Sequence, residues 1–213
     1  MLDPHLYVPF LTAALALTLT PGPDTMFVLG ASLGGGTRGG LQASAGILTG
    51  LLAHMTLAVL GVSALIAASA LAFELLRWAG AGCLLWIGGT LLVRTGRARA
   101  DSAVSVPAPP AGRLYWQGTL TNLFNPKIAV FYVAFLPQFV SPALGAEPRQ
   151  LFLLGVSHWL MGVVQLAVVA AGSGVIAARL RRSPALRRAL DGVAGVVFVG
   201  LAARLMLAER RAP

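Results

Sequence analysis

The sequence predicts an all-α integral membrane protein with six transmembrane helices. Three observations carry this prediction. Charged residues make up 11% of the 213 residues, where soluble domains carry roughly 25%. Apolar residues make up 57%, and the mean hydropathy is +0.79. The charges also cluster: no Asp, Glu, Lys or Arg occurs in 4–23, 39–73, 78–93, 128–146 or 150–178. This composition excludes an ordinary soluble enzyme, a disordered tail and a secreted disulfide scaffold; Cys83 is the only cysteine. The net charge of +9 does not indicate nucleic acid, because the basic residues punctuate apolar runs instead of forming a continuous stripe.

A span needs about 20 predominantly apolar residues, and a lipid-exposed backbone must satisfy its own hydrogen bonds, so the spans are helices. The reading in order is Tyr7–Leu33, Gln42–Ala68, Leu71–Val93, Leu114–Val140, Gln150–Ala178 and Leu190–Leu207. The run 39–73 would be about 52 Å long as one helix, against a hydrocarbon core of ~30 Å, so a turn is expected near Ser69. Asp3 and His5 stand where a signal peptide would carry basic residues, and the N-terminal run is kept as the first span. The basic residues set the orientation. Arg38, Arg94, Arg97, Arg99, Arg113, Arg179, Arg181, Arg182, Arg187 and Arg188 fall on one side, expected to be cytoplasmic. Arg77, Arg149, Arg204, Arg210 and Arg211 fall on the other side, so both termini face out. Asp101–Gly112, with its prolines, is a tether between repeat one (1–100) and repeat two (113–213) of a single transmembrane domain.

Two spans are interrupted. Pro21 and Pro23 cannot continue a helix, and Thr20 as N-cap with Pro21 at the first helical position would start a new half-helix. Asn125 and Pro126 repeat the pattern in the fourth span, 105 positions on. His54 and His158 lie 104 positions apart. Three spans per half invert the second copy, and interrupted helices in matching places of inverted repeats point to a transport site. The alternative at each break is a proline kink tolerated by packing.

Asp24 and Lys127 are the charges deep within the spans. Each costs on the order of 2.5–3.5 kcal/mol at the membrane centre on insertion scales. Asp24 in the first turn of its half-helix agrees with the helix dipole, whereas Lys127 in the first turn of the other opposes it. Two readings remain open: an ion pair holding the halves together, or a site for a zwitterion. In the second, Lys127 and the half-helix N-termini take a carboxylate, and Asp24 takes an ammonium group or a proton. The candidate binding set is Pro21, Gly22, Pro23, Asp24, Asn122, Asn125, Pro126 and Lys127. The proton-coupling candidates are Asp24, His54 and His158. No catalytic residue, metal or cofactor is expected.

Thr20-Pro21-Gly22-Pro23-Asp24, Gly118 through Asn125-Pro126-Lys127, and Phe135-Leu136-Pro137-Gln138-Phe139 together resemble the signature of the LysE/RhtB family of amino-acid exporters. The similarity covers essentially the whole chain. It implies secondary active export of amino acids across the bacterial inner membrane, driven by the proton gradient. It also implies two inverted three-helix repeats and homodimers, but does not name the amino acid. The alternatives are export of a metal ion or another small amine and, further off, a membrane-embedded hydrolase using Ser157, His158 and His54. Adjacent helical residues point about 100° apart, which argues against a Ser157–His158 contact. The small-residue pairs Gly39/Ala43 and Gly46/Gly50 are read as close helix packing, and Trp78, Trp86, Trp116 and Trp159 as including interfacial anchors. Gln42, Gln117, Gln138 and Gln165 are candidate pathway groups.

Overall fold

The computed structural model describes residues 2–62, 70–96 and 111–207, and all regular structure among them is helical. Helix α1 spans Pro4–Leu19, capped by Asp3, whose side chain accepts from the His5 N–H at 2.9 Å. Helix α2 spans Pro23–Leu57 and runs into a π turn, Ala58–Val62. Helix α3 is Ala70–Gly96, α4 is Ala111–Leu123 and α5 is Pro126–Val130. Beyond α5 the chain widens to a π turn at Phe131–Phe135 and tightens to a 3-10 turn at Leu136–Phe139. Pro137 accounts for this change of winding: its ring presses on the carbonyl four residues back and it donates no hydrogen bond. Helices α6 (Glu147–Arg182) and α7 (Pro184–Leu207) complete the described chain.

The two breaks fall where proline placed them. Between the first two expected spans, however, there is no loop. α2 turns at Gly36, whose φ of 63° and ψ of −170° a residue with a Cβ rarely adopts, and the helix resumes at once. The turn expected near Ser69 and the tether at 101–110 lie outside the described residues; Ala111 and Gly112 already belong to α4.

Among the described residues, Pro23–Gly61 and Glu147–Ile176 are long and apolar enough to cross a membrane. Pro4–Leu19 and Pro126–Phe139 are apolar but shorter, because each is one piece of an interrupted run. The distribution of side chains is that of a protein in lipid. Leu60, Trp86, Val164, Val168 and Val175 are more than half exposed, whereas Asp24, His54, Asn122, Asn125, Lys127 and His158 are buried. So many exposed large apolar side chains suit an apolar surrounding.

α2 packs mainly on α4 and α6, α3 on α7, and α1 on α6. Glycine permits the α2–α4 contact: a Cβ at Gly50 would lie 2.7 Å from Asn122 Oδ1, and one at Gly118 2.5 Å from the Ala43 carbonyl. The small-residue pattern therefore serves packing within one chain. Two apolar clusters result. One gathers Phe10, Phe131, Phe135 and Phe139 with Leu17, Leu51 and Ile128. Within it Phe10 meets Phe139 and Phe135 meets Phe139 edge to face, with centroids 5.4 and 4.8 Å apart. The other gathers Val28, Ile47, Leu114 and Leu166. The charged residues sit where these clusters meet.

Candidate functional site

At the first break Thr20 is extended (ψ 119°), as a residue before proline must be, and Gly22 is the N-cap. This corrects the expected start. Thr20 does not cap the new half-helix; it is the C-cap of α1, and its hydroxyl donates back to the Ala16 carbonyl at 2.7 Å. Pro23, not Pro21, is the first helical residue. A Cβ at Gly22 would lie 3.1 Å from Lys127 Nζ, so the lysine packs close against this break. At the second break the expectation holds. Asn125 is the N-cap, Pro126 comes first, and the Asn125 side chain accepts from the Lys127 backbone N–H at 3.1 Å. Aligned on their first helical prolines, the two breaks pair Pro23 with Pro126 and Asp24 with Lys127, an offset of 103 instead of 105. Asp24 and Lys127 occupy the same position, second in their half-helices.

Lys127 escapes the positive end of its own helix by reaching across the chain. Its Nζ donates to the carbonyls of Leu17 and Thr20, at 3.1 and 3.2 Å. These are orphan acceptors at the C-terminal end of α1, where a cation is favoured. Asp24 Oδ2 accepts from Asn122 Nδ2 at 2.7 Å. Asp24 Oδ1 is buried with no hydrogen-bond partner. The two charges therefore share a site without a hydrogen bond to each other. Asn122 Oδ1 and Asn125 Nδ2 are likewise buried and unpartnered, and such atoms in a folded protein call for water or a ligand.

The two histidines occupy different places. His54 Nε2 lies 3.2 Å from the Asn122 carbonyl. A carbonyl only accepts, so this nitrogen carries the hydrogen. His158 Nδ1 lies 3.1 Å from the Tyr132 hydroxyl. Tyr132 also stacks on His54, with centroids 6.0 Å apart, so it stands between them. Nothing in its apolar surroundings in the sequence marks Tyr132 out. Ser157 faces away from His158, bonding Tyr7 at 3.0 Å and the Leu153 carbonyl at 2.9 Å.

Asp24, Lys127 and His158 line one cavity of ≈ 30 Å³ with Thr18, Thr25 and Gln165. Leu17, Ile47, Leu51, Ile128, Gly162 and Leu166 supply the rest of its wall. A water needs about 10–15 Å³ by this measure, so the site as it stands admits about two. Pro23 and Pro126 are exposed, and Pro21 and Gly22 are half-buried; the prolines shape the backbone and leave the lining to their neighbours. Of the glutamines singled out, Gln165 reaches the cavity and bonds Thr25 at 3.1 Å, while Gln138 donates to the Ala134 carbonyl at 3.0 Å.

A helical chain that buries two opposite charges beside one cavity, exposes many large apolar side chains and breaks two helices at that cavity has the build of a membrane transporter. Comparison with known proteins agrees. A model of the LysE type translocator family matches residues 15–209. A protein of Vibrio cholerae serotype O1 described as an uncharacterized membrane protein is 34% identical, over 98% of this chain and 100% of its own. A leucine efflux protein of Salmonella choleraesuis is 31% identical over 93% of both chains. One of an Enterobacter species is 31% identical over 92% of both. No solved structure matches the chain. This protein belongs to the LysE type translocator family.

Proposed function

We propose that this protein exports amino acids from the cytoplasm across the bacterial inner membrane by alternating access. The observation that carries the reading is the convergence of two half-helix starts on one cavity, each bringing one charge of opposite sign. A free amino acid is a zwitterion and complements that pair. Its ammonium group is placed to meet the unpartnered Asp24 Oδ1. Its carboxylate would take the remaining Lys127 N–H, since two of the three are already used; the unpartnered Asn125 amide lies outside the cavity lining and would reach it only if the site moves. The same arrangement supports two inverted repeats of three spans, 1–100 and 113–213, moving about the site. Termini facing out and homodimers belong to the same proposal.

Coupling to protons follows if Asp24 binds either a proton or the cargo's ammonium. His158 on the cavity wall, and His54 behind Asn122, are the groups positioned to pass that proton. Relatives named for leucine efflux support an amino acid with an aliphatic side chain as cargo. The test is efflux from cells loaded with mixed dipeptides, comparing vector, wild type and Asp24→Asn. Faster appearance outside of one amino-acid class with the wild type alone establishes export. Identical profiles with the protein present in the membrane overturn it.

A further inference from the structure

We infer that Gly162 sets the upper limit on the length of the cargo side chain, and that the cavity accepts an uncharged, aliphatic one. The inference rests on the export reading and concerns the part of the site that reads the side chain. Asp24 and Lys127 contribute one carboxylate and one ammonium to the lining. An amino acid's own backbone charges occupy both. The described lining holds no second acid; Gln165 and Thr25 are bonded to each other, Thr18 donates to the Ala14 carbonyl, His158 pairs with the Tyr132 hydroxyl, and Leu17, Ile47, Leu51, Ile128 and Leu166 are hydrocarbon. A cationic side chain would lie among methyl groups with no counter-ion, which is costly. An aliphatic one gains by burial there.

Gly162 is the lining residue that has no side chain. It follows His158 by one turn on α6 and lies across from Leu51 on α2. A Cβ built on it would stand 3.2 Å from Leu51 Cδ1 and 3.7 Å from Leu48 Cδ2. The nearer contact is tight, but its partner is the flexible end of a side chain that itself lines the cavity. Alanine at 162 is thus accommodated by displacing Leu51, and space for cargo is lost with it. The sequence offers no hint of this, since Gly162 is one of 25 glycines.

The experiment measures efflux of alanine, valine, leucine, phenylalanine and lysine from equally loaded cells, normalised to protein in the membrane. The wild type should export valine and leucine, with lysine at the vector level. Gly162→Ala should lower the leucine-to-alanine efflux ratio about tenfold, the scale of one methylene in an apolar pocket. Leu51→Ala should raise the phenylalanine-to-leucine ratio, and should restore leucine when combined with Gly162→Ala. An equal loss for every cargo in Gly162→Ala, with no change of ratio in Leu51→Ala, would overturn the inference and leave export standing. Lysine leaving as fast as leucine would overturn the uncharged-side-chain part. Wild type exporting none of the five would sink the export reading itself, a result distinct from either.

Discussion

The two helix breaks meet the same constraint with opposite charges, and the two charges are held in different ways. Both restart a helix at a proline, and both place an ionisable group second in the new helix. At the first break the carboxylate suits its position, needs no capping side chain from Gly22 and keeps one oxygen unpartnered. At the second the ammonium opposes its own helix and is held by the carbonyls that end α1. Asp24 thus keeps one oxygen free of protein partners, whereas Lys127 is partly committed to the fold. A pure ion pair would leave neither free.

The largest effect expected from this contrast is at Asp24. Asp24→Asn should fold, because Asn122 keeps a hydrogen-bonding partner, yet export should fall to the vector level; undiminished efflux would remove Asp24 from the mechanism. Exchanging the charges, Asp24→Lys with Lys127→Asp, comes next. A symmetric ion pair would tolerate it, but here a carboxylate would face the Leu17 and Thr20 carbonyls. The double variant should lose export and melt lower in detergent. Lys127→Ala leaves those two carbonyls without their donor. It should cost about 1–3 kcal/mol of stability and about tenfold in export, read by thermal shift and efflux together. Asn125→Ala removes a working cap and should cost about 1 kcal/mol. Thr20→Val should be smallest, within about 0.5 kcal/mol, because the Thr20 side chain does not cap the new half-helix and its C-cap role in α1 is main-chain; a loss equal to that of Asn125→Ala would restore it as the N-cap.

The same contrast explains how far the sequence could be read. Proline's effect on a helix is local, so both breaks were visible, and a lone charge in an apolar run stands out without any structure. The proline that opens the first half-helix was not visible. Thr20-Pro21 and Gly22-Pro23 are equally good local starts, and the choice is linked to Lys127 lying against Gly22, a contact across more than a hundred positions. The acceptors of Lys127 were hidden for a related reason: they are main-chain carbonyls, which every residue has. Tyr132, Leu51 and Gly162 carry no local signal, because an apolar wall is distinguished from any other apolar surface only by what it faces. The gap left between the first two expected spans, 34–41, contains the triple glycine 34–36, but nothing local marks Gly36 as a single hinge residue with helix on both sides.

The phenylalanines that pack α1 against the turns after α5 have a consequence for the resting cell. Phe131 sits against His158, ring centres 4.5 Å apart, and Phe10, Phe135 and Phe139 continue behind it with almost no exposed surface. Rings in mutual contact leave no room for a file of water. Each elementary charge crossing a 100 mV membrane releases about 2.3 kcal/mol, so an unguarded channel would drain the cell's stored gradient whether or not cargo was present. A continuous aromatic stack beside the cavity is a wall that an ion would have to part before it could cross.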